Sequence, residues 1–207
     1  MILAAALLMQ PVSLDSPVSL ESIETYAREA FDRTPTQCDA LIAHPSDPER
    51  VGEGVSRADA DLPAAILACT DAVEADPGNP RLNYQLARAY GYSGLHEEGQ
   101  PYRDAALRAG YPQSLFVVGY IRVENWDGRG ADPCYGGELI RRSAHAGRYA
   151  GLVGFPHYAL MGVFDACGAV PAVDTAEMLG FLDEAEARSS DYYQGLLVDQ
   201  LRARLIE

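Results

Sequence analysis

Residues 76–80 read Asp76-Pro77-Gly78-Asn79-Pro80 and separate two stretches with a helical pattern. The stretch before them, 63–74, repeats small and apolar residues at helical spacing. Those residues are Ala65, Ile66, Cys69, Ala72 and Val73. Asn79 is a favourable N-cap, and Pro80 suits the first helical position, where its missing N–H is not needed. The five residues therefore predict the end of one helix, a short turn and the start of the next helix.

The same pattern recurs along the chain, with Pro or Gly interrupting it about every fifteen residues, and no stretch shows sustained strand alternation. Beyond 63–74, helices are predicted over Ser19–Arg33, Leu82–Tyr92, a following stretch to Ala109, Pro112–Glu124, Gly136–Ala146, Ala150–Ala166, a stretch from Thr175 to Arg188, and a last stretch after Ser190. Asp174 and Glu177 have the spacing of a capping box. A turn is expected at 38–43 and a long connection at 44–60.

Small residues and prolines return at a repeat period in the middle of the chain. The first set is Ala65, Cys69, Ala72 and Pro77; Leu86, Ala87 and Tyr90 follow, and Val118-Gly119 comes 32 residues after Leu86. A later set is Gly128, Asp132, Ser143-Ala144, Gly147 and Met161-Gly162. Over about residues 60–165 the chain resembles the tetratricopeptide and Sel-like repeat families of exported bacterial proteins, although Gly136 and Leu139 replace the usual Ala and Trp. The resemblance implies an all-α, tetratricopeptide-like/Sel-like α-α superhelix of stacked antiparallel helix pairs.

The resemblance also implies a binding face, because the first helix of each pair lines the concave side in those families. Its register here places six residues on that side: Arg81, Tyr84, Arg88, Gln113, Phe116 and Tyr120. Aromatic and Arg side chains dominate binding hot spots, and Arg pairs with carboxylates. We expect a groove for an extended or helical peptide that carries acidic groups or a free C-terminus. The alternative is that the aromatic residues pack between repeats and the arginines are solvated.

The N-terminus, Met1 to Met9, is apolar and has the length of a signal-peptide core, although no basic residue precedes it. We expect residues 1–15 to be a signal peptide and 16–207 to form a single helical-repeat domain, with its clearest repeats at 60–165. The protein is then periplasmic or secreted. If the segment is an ordinary apolar helix, the protein is cytoplasmic.

Four cysteines, at positions 38, 69, 134 and 167, allow three pairings into two disulfides. The neighbouring pairs, Cys38–Cys69 and Cys134–Cys167, would each close a loop of about thirty residues and contribute about 3 kcal/mol. Buried free thiols are the alternative. No pair has CxxC spacing, which argues against zinc.

Acidic residues outnumber basic ones 30 to 16, for a net charge of −14, and all sixteen cations are Arg. Such a chain repels nucleic-acid phosphates, and no run of eighteen apolar residues predicts a membrane span. The expected partner is another protein or peptide, bound by a monomer or weak homo-oligomer without a cofactor or metal.

The sequence contains no GxSxG elbow, no phosphate-binding GxxxxGK[ST] and no HExxH. We therefore expect a non-catalytic scaffold or adaptor. The alternative is a cell-envelope glycan- or peptidoglycan-associated hydrolase on the same helices, which would need a cleft with a pKa-shifted carboxylate or thiolate. Cys134 is a candidate nucleophile, with His145 or His157 as base. A regulatory segment of a larger system is a third hypothesis. Trp126 is expected to pack at a turn between repeats.

Overall fold

The computed structural model of the protein describes residues 18–206, and within that range it is all-helical, without strands. Its α-helices are α1 (Gln37–Ile42), α2 (Leu62–Ala75), α3 (Pro80–Tyr92), α4 (His96–Arg108), α5 (Pro112–Glu124), α6 (Pro133–His145), α7 (Tyr149–Leu160), α8 (Thr175–Arg188) and α9 (Tyr192–Ile206). Helices adjacent in sequence pack against each other, most extensively α3 with α4 and α5 with α6. The predicted all-α class is confirmed. The finer assignment to a tetratricopeptide-like superhelix stays a prediction.

Capping side chains and prolines set the helix starts at the predicted places. The side chain of Asn79 accepts from the backbone N–H of Arg81, and that of Asp174 accepts from Glu177 at 2.8 Å. Prolines occupy one of the first two positions of α2, α3, α5 and α6, where no N–H is required. At the start of α9 the capping acceptor is Asp191, the residue after the expected Ser190.

The predicted helix over Ser19–Arg33 is wrong. This stretch contains only two short 3₁₀ turns, at Leu20–Ser22 and Arg28–Ala30. Its backbone bonds to other elements instead: the N–H of Glu24, for example, donates to the carbonyl of Arg108 at 2.8 Å. The apolar residues of this stretch, whose spacing suggested one helical face, contact several different helices instead. Residues 18–61 therefore form an arm that lies across the helical array.

Two further boundaries differ from the sequence prediction. The turn expected at 38–43 is the short helix α1, which a capping box between Thr36 and Asp39 initiates. The helix expected to reach Ala166 ends at Leu160, since Gly162 adopts a φ of +73° that terminates it.

Two disulfides connect distant parts of the chain, and the predicted neighbouring pairs are both present. Cys38–Cys69 ties α1 of the arm to α2, and Cys134–Cys167 ties α6 to the turns after α7. Paired cysteines of this kind fit an oxidising compartment. The suggested signal peptide at 1–15 lies outside the described residues. Within 18–206 no helix is both long and apolar enough to cross a membrane.

Two apolar clusters stabilise the array at its two ends. One joins α1, α2 and α3 around Ile42 and Leu86, and the other joins α6 to α9 around Phe155 and Leu182. All four side chains are fully buried. The arm thus contributes α1 to a core, while most of its other residues lie on the outside of the helices.

Glycines allow α5 and α6 to approach closely. A Cβ built on Gly119 would lie 2.7 Å from the carbonyl oxygen of Gly136, and a Cβ on Gly136 would lie 2.6 Å from that of Gly119. Such distances leave no room for a side chain. The backbones of the two helices therefore pack directly against each other, and the packing depends on both glycines.

We predict that Gly119→Ala lowers the free energy of unfolding by about 1–3 kcal/mol, because the methyl group overpacks this contact. Gly180→Ala is the matched control, since a Cβ at this position in α8 meets nothing within 4 Å. It should stabilise the protein by about 0.5–1 kcal/mol through helix propensity. Urea unfolding of both variants measures the difference. Equal changes in the free energy of unfolding for the two variants would contradict the close approach of α5 and α6.

Candidate functional site

Three of the predicted groove residues lie on one face of α3, underneath the arm. Arg81, Tyr84 and Arg88 are only 3%, 5% and 7% exposed. We call this surface the arm face; it comprises Asn79, Arg81, Tyr84, Gln85, Arg88, Tyr111, Gln113 and Arg148. Its polar groups bond to each other and to the arm, so the predicted face is occupied by the protein's own chain.

Carbonyl oxygens of the arm accept hydrogen bonds from several side chains of the helices. The amide of Asn79 donates to the carbonyl of Asp32 at 2.9 Å. At the other end of the arm, the Tyr135 hydroxyl donates to the carbonyl of Val18 at 2.7 Å, and Arg142 to that of Leu20 at 2.8 Å. Backbone carbonyls are present in any sequence, so these contacts recognise an irregular polypeptide as such.

A buried ion pair fixes the start of α1. The guanidinium of Arg81 pairs with the carboxylate of Asp39, and both residues are at most 3% exposed. The amide of Gln85 donates to the same carboxylate oxygen at 2.8 Å. Removing one member would leave the other charge buried without compensation, which typically costs about 3–5 kcal/mol.

Arg88 closes a compact loop that follows α1. Its guanidinium donates to the carbonyl of Ile42 and, at 2.9 Å, to the carbonyl of Val55. The ends of the loop also meet directly, since the Val55 N–H donates to the Ala43 carbonyl at 2.7 Å. Residues 43–55 are therefore an Ω-loop, a compact loop with neighbouring ends that is frequently functional.

The tip of the Ω-loop inserts a carboxylate into the arm face. Asp47 is fully buried and accepts from the Tyr111 hydroxyl at 2.8 Å and from the Glu49 N–H at 2.9 Å. Burial raises the pKa of Asp47 to about 6, although these hydrogen bonds and the charge of Arg148 favour the ionised form. Burial also raises the pKa of the neighbouring Tyr84 and Tyr111 phenols.

A histidine of the same loop is also held in its neutral form. Burial, followed by the charges of Arg88 and Arg148, lowers the pKa of His44 to about 3. Its Nδ1 accepts from the Ser46 N–H at 3.0 Å. Docking of the loop thus shifts both groups towards their uncharged forms: His44 is neutral at pH 7, while Asp47, with a pKa of about 6, is still mainly ionised there.

The outer side of the Ω-loop is bonded to the rest of the arm. Glu49 accepts from Arg33 at 2.8 Å and pairs with Arg28 at 3.2 Å. The Tyr26 ring, which meets Tyr111 edge-on at 5.5 Å, covers the loop as well. The loop therefore lies between α3 and the first part of the arm.

The other three predicted groove residues continue from the arm face along α5. Gln113 is buried and accepts from Arg148, whose guanidinium carbon lies 5.3 Å above the Phe116 ring. Phe116 stacks on Tyr120 at 6.1 Å, and Tyr120 meets Trp126 at 6.0 Å. We call Phe116, Tyr120 and Trp126 the aromatic row.

The aromatic row is not covered by the arm. Phe116 and Tyr120 are partly buried, and Trp126 is 70% exposed. Trp126 lies in the turn after α5, as expected, but it packs there only in part: its indole contacts Tyr120 on one side and is otherwise exposed to solvent. A row of partly exposed aromatic rings provides a large contact area at low entropic cost.

A cleft of about 810 Å³ separates arm residues 20–26 from α6 and α8. Its cations already have partners: Arg142 bonds to Glu138, and Arg188 bonds to the carbonyl of Gly147. These groups hold the arm and a turn in place.

The alternative with Cys134 as nucleophile is wrong, because Cys134 is disulfide-bonded and has no thiol. His145 contacts Glu177 at 2.8 Å, and His157 is exposed. Among residues 18–206 no group of three or more His, Cys, Asp or Glu side chains is arranged to hold a metal ion.

Comparison of the chain with protein-family models, with curated proteins and with solved structures finds no match. The function must therefore be inferred from the arm face and the aromatic row themselves.

The opposite shifts of His44 and Asp47 predict compensating pH dependences. Asp47 binds a proton more tightly in the folded state, so its contribution to stability is present at low pH and is lost as pH rises through about 6. His44 releases its proton on folding, so its contribution is present above about 6.5 and is lost as pH falls towards 3. Between about pH 3.8, the ordinary pKa of an aspartate, and about pH 6, the two contributions change in opposite directions and oppose each other.

We predict that Asp47→Asn makes the free energy of unfolding rise more steeply with pH than in the wild type between about pH 3.8 and 6, because the contribution of His44 is no longer opposed. His44→Asn should change the slope in the opposite direction, each change reaching at most about 1.4 kcal/mol per pH unit. Urea unfolding at several pH values measures the slopes, and the double variant should return close to the wild-type slope. Changes of the same sign in the two single variants, relative to the wild type, would refute the assignment.

Proposed function

We propose that the protein is a non-catalytic adaptor that binds an extended segment of another protein. The observation that carries the proposal is the way in which the helices hold the arm: buried arginine, asparagine and tyrosine side chains bond to its carbonyls and carboxylates. These donors suit an irregular polypeptide with acidic side chains, and the arm is an internal example of one.

The aromatic row supplies the accessible part of the proposed binding surface. It begins at Phe116, against Arg148 of the arm face, and ends at the exposed Trp126. Because the row continues from a surface that already holds a polypeptide segment, we place the partner's first contact on Tyr120 and Trp126. Exposed aromatic side chains frequently carry much of the binding energy at such contacts.

The proposed setting is the periplasm or the extracellular space. Both disulfides persist in an oxidising environment, and the net charge of −14 keeps the surface soluble. The proposal includes binding as a monomer or weak homo-oligomer.

A selection of random peptides displayed on phage, against the oxidised full chain, tests this function. We predict peptides whose affinity falls about ten-fold or more in Tyr120→Ala/Trp126→Ala, a loss typical of aromatic anchors. The matched control is Tyr192→Ala/Tyr193→Ala, which removes two exposed tyrosines of α9 and should leave affinity unchanged. Fluorescence anisotropy measures the dissociation constants. Failure to select any binder, or equal losses in both variants, would contradict the proposal.

A further inference from the structure

Asp47 lies in the arm face as a bound ligand would. Its carboxylate is surrounded by groups from three other elements: Tyr84 of α3, Tyr111 before α5, and Arg148 before α7. Glu49 of the same loop is an acid near it. The helices and the residues before them thus surround this carboxylate with two phenols and a guanidinium. We call this surrounding the Asp47 pocket.

The attachment of the Ω-loop leaves polar groups poorly satisfied. Arg88 is 7% exposed, and among the described residues no carboxylate pairs with it. Its Nε is buried without a hydrogen-bond partner, and its other nitrogens bond only to neutral carbonyls. A buried arginine is better compensated by a carboxylate than by neutral acceptors. The docked loop is therefore a weak partner for this surface.

The Cys38–Cys69 disulfide retains the loop covalently. It ties α1 to α2, which are the elements on either side of the Ω-loop, across a sequence separation of 31 residues. Both helices contact α3, so the two ends of the segment that contains the loop stay beside α3 while this bond is intact.

Building on the proposed function, we infer that the Asp47 pocket binds an aspartate or glutamate side chain of a partner protein's extended segment, and that the Ω-loop occupies this pocket in cis. The partner's acid takes the place of Asp47 between Tyr111 and Arg148. Displacement of the loop also frees Arg88, which can then pair with a second acid of the same segment. Because Cys38–Cys69 restrains the segment that contains the loop, removal of this bond by substitution should make the displacement easier.

The chemistry of the pocket is tested by replacing its internal occupant. In the full-length Asp47→Ala variant, sodium acetate should raise the unfolding midpoint by roughly 2 °C or more beyond its effect on the wild type. Acetamide at equal ionic strength is the control and should give no such difference, because it lacks the charge that Arg148 attracts. A shift that is the same in wild type and variant, or the same for acetate and acetamide, overturns the inference.

If Asp47→Ala does not fold, Asp47→Ser serves in the same assay, since its hydroxyl retains an acceptor for the Glu49 N–H. The displacement step is tested separately on the unaltered pocket. Trypsin cleaves after Arg50 and Arg57 in the arm, and cleavage requires local opening. Cys38→Ser/Cys69→Ser should accelerate cleavage at these two sites about ten-fold or more relative to Arg122 in α5.

Cys134→Ser/Cys167→Ser is the matched control for this assay, because it removes a disulfide remote from the Ω-loop. It should leave the cleavage rates at Arg50 and Arg57 unchanged; these rates are compared directly, because Arg122 bonds to Asp132, two residues from Cys134. Equal acceleration of cleavage at Arg50 and Arg57 in the two disulfide variants would show that the loop is an integral part of the fold and would overturn the inference. The proposed function is decided independently, since its peptide selection uses the oxidised protein with the loop in place.

Discussion

The burial of Arg81 and Arg88 in α3 is the constraint on which the arrangement of the arm depends. A guanidinium that leaves water must find acceptors, and the neighbouring helices offer few. The arm supplies them: Asp39 for Arg81, and the carbonyls of Ile42 and Val55 for Arg88. The arm therefore follows an irregular path across the helices, because a regular helix would use its carbonyls internally.

The same constraint connects the fold to the proposed function. A surface built to satisfy an irregular segment with arginine, asparagine and tyrosine donors is able to satisfy a comparable segment from another protein. Inside the loop, burial disfavours the charged forms of both Asp47 and His44. The docked Ω-loop therefore carries two ionisable groups whose charged forms burial disfavours. A partner segment that is better satisfied by the same surface can compete with it.

Much of the helical array could be predicted from sequence, because its signals are local. Prolines and N-caps such as Asn79 fix the helix starts, and α5 matches the prediction at both ends. The arm could not be predicted in this way. Its apolar residues have helical spacing by chance, while its conformation is determined by contacts with Arg108, Tyr135 and Arg142, which lie far along the chain.

Part of the arm face could also be predicted from local sequence signals. Helical register on α3 correctly grouped Arg81, Tyr84 and Arg88, since residues three and four apart share a face. Register says nothing about what covers that face. Asp47 lies between two prolines in a polar stretch that resembles a simple connection, and Arg148 resembles a solvated helix-end residue. Only the tertiary structure brings both to Tyr111.

Native-state hydrogen exchange of the wild-type protein shows whether the Ω-loop is a bound segment that opens separately from the helices. We predict that the Val55 amide, which closes the Ω-loop, exchanges through an opening well below the global free energy of unfolding, while amides in the middle of α3 exchange only by global unfolding. Equal opening free energies for Val55 and α3 would mean that the Ω-loop and the helices unfold as one unit, and the loop would then not be a displaceable occupant of the arm face.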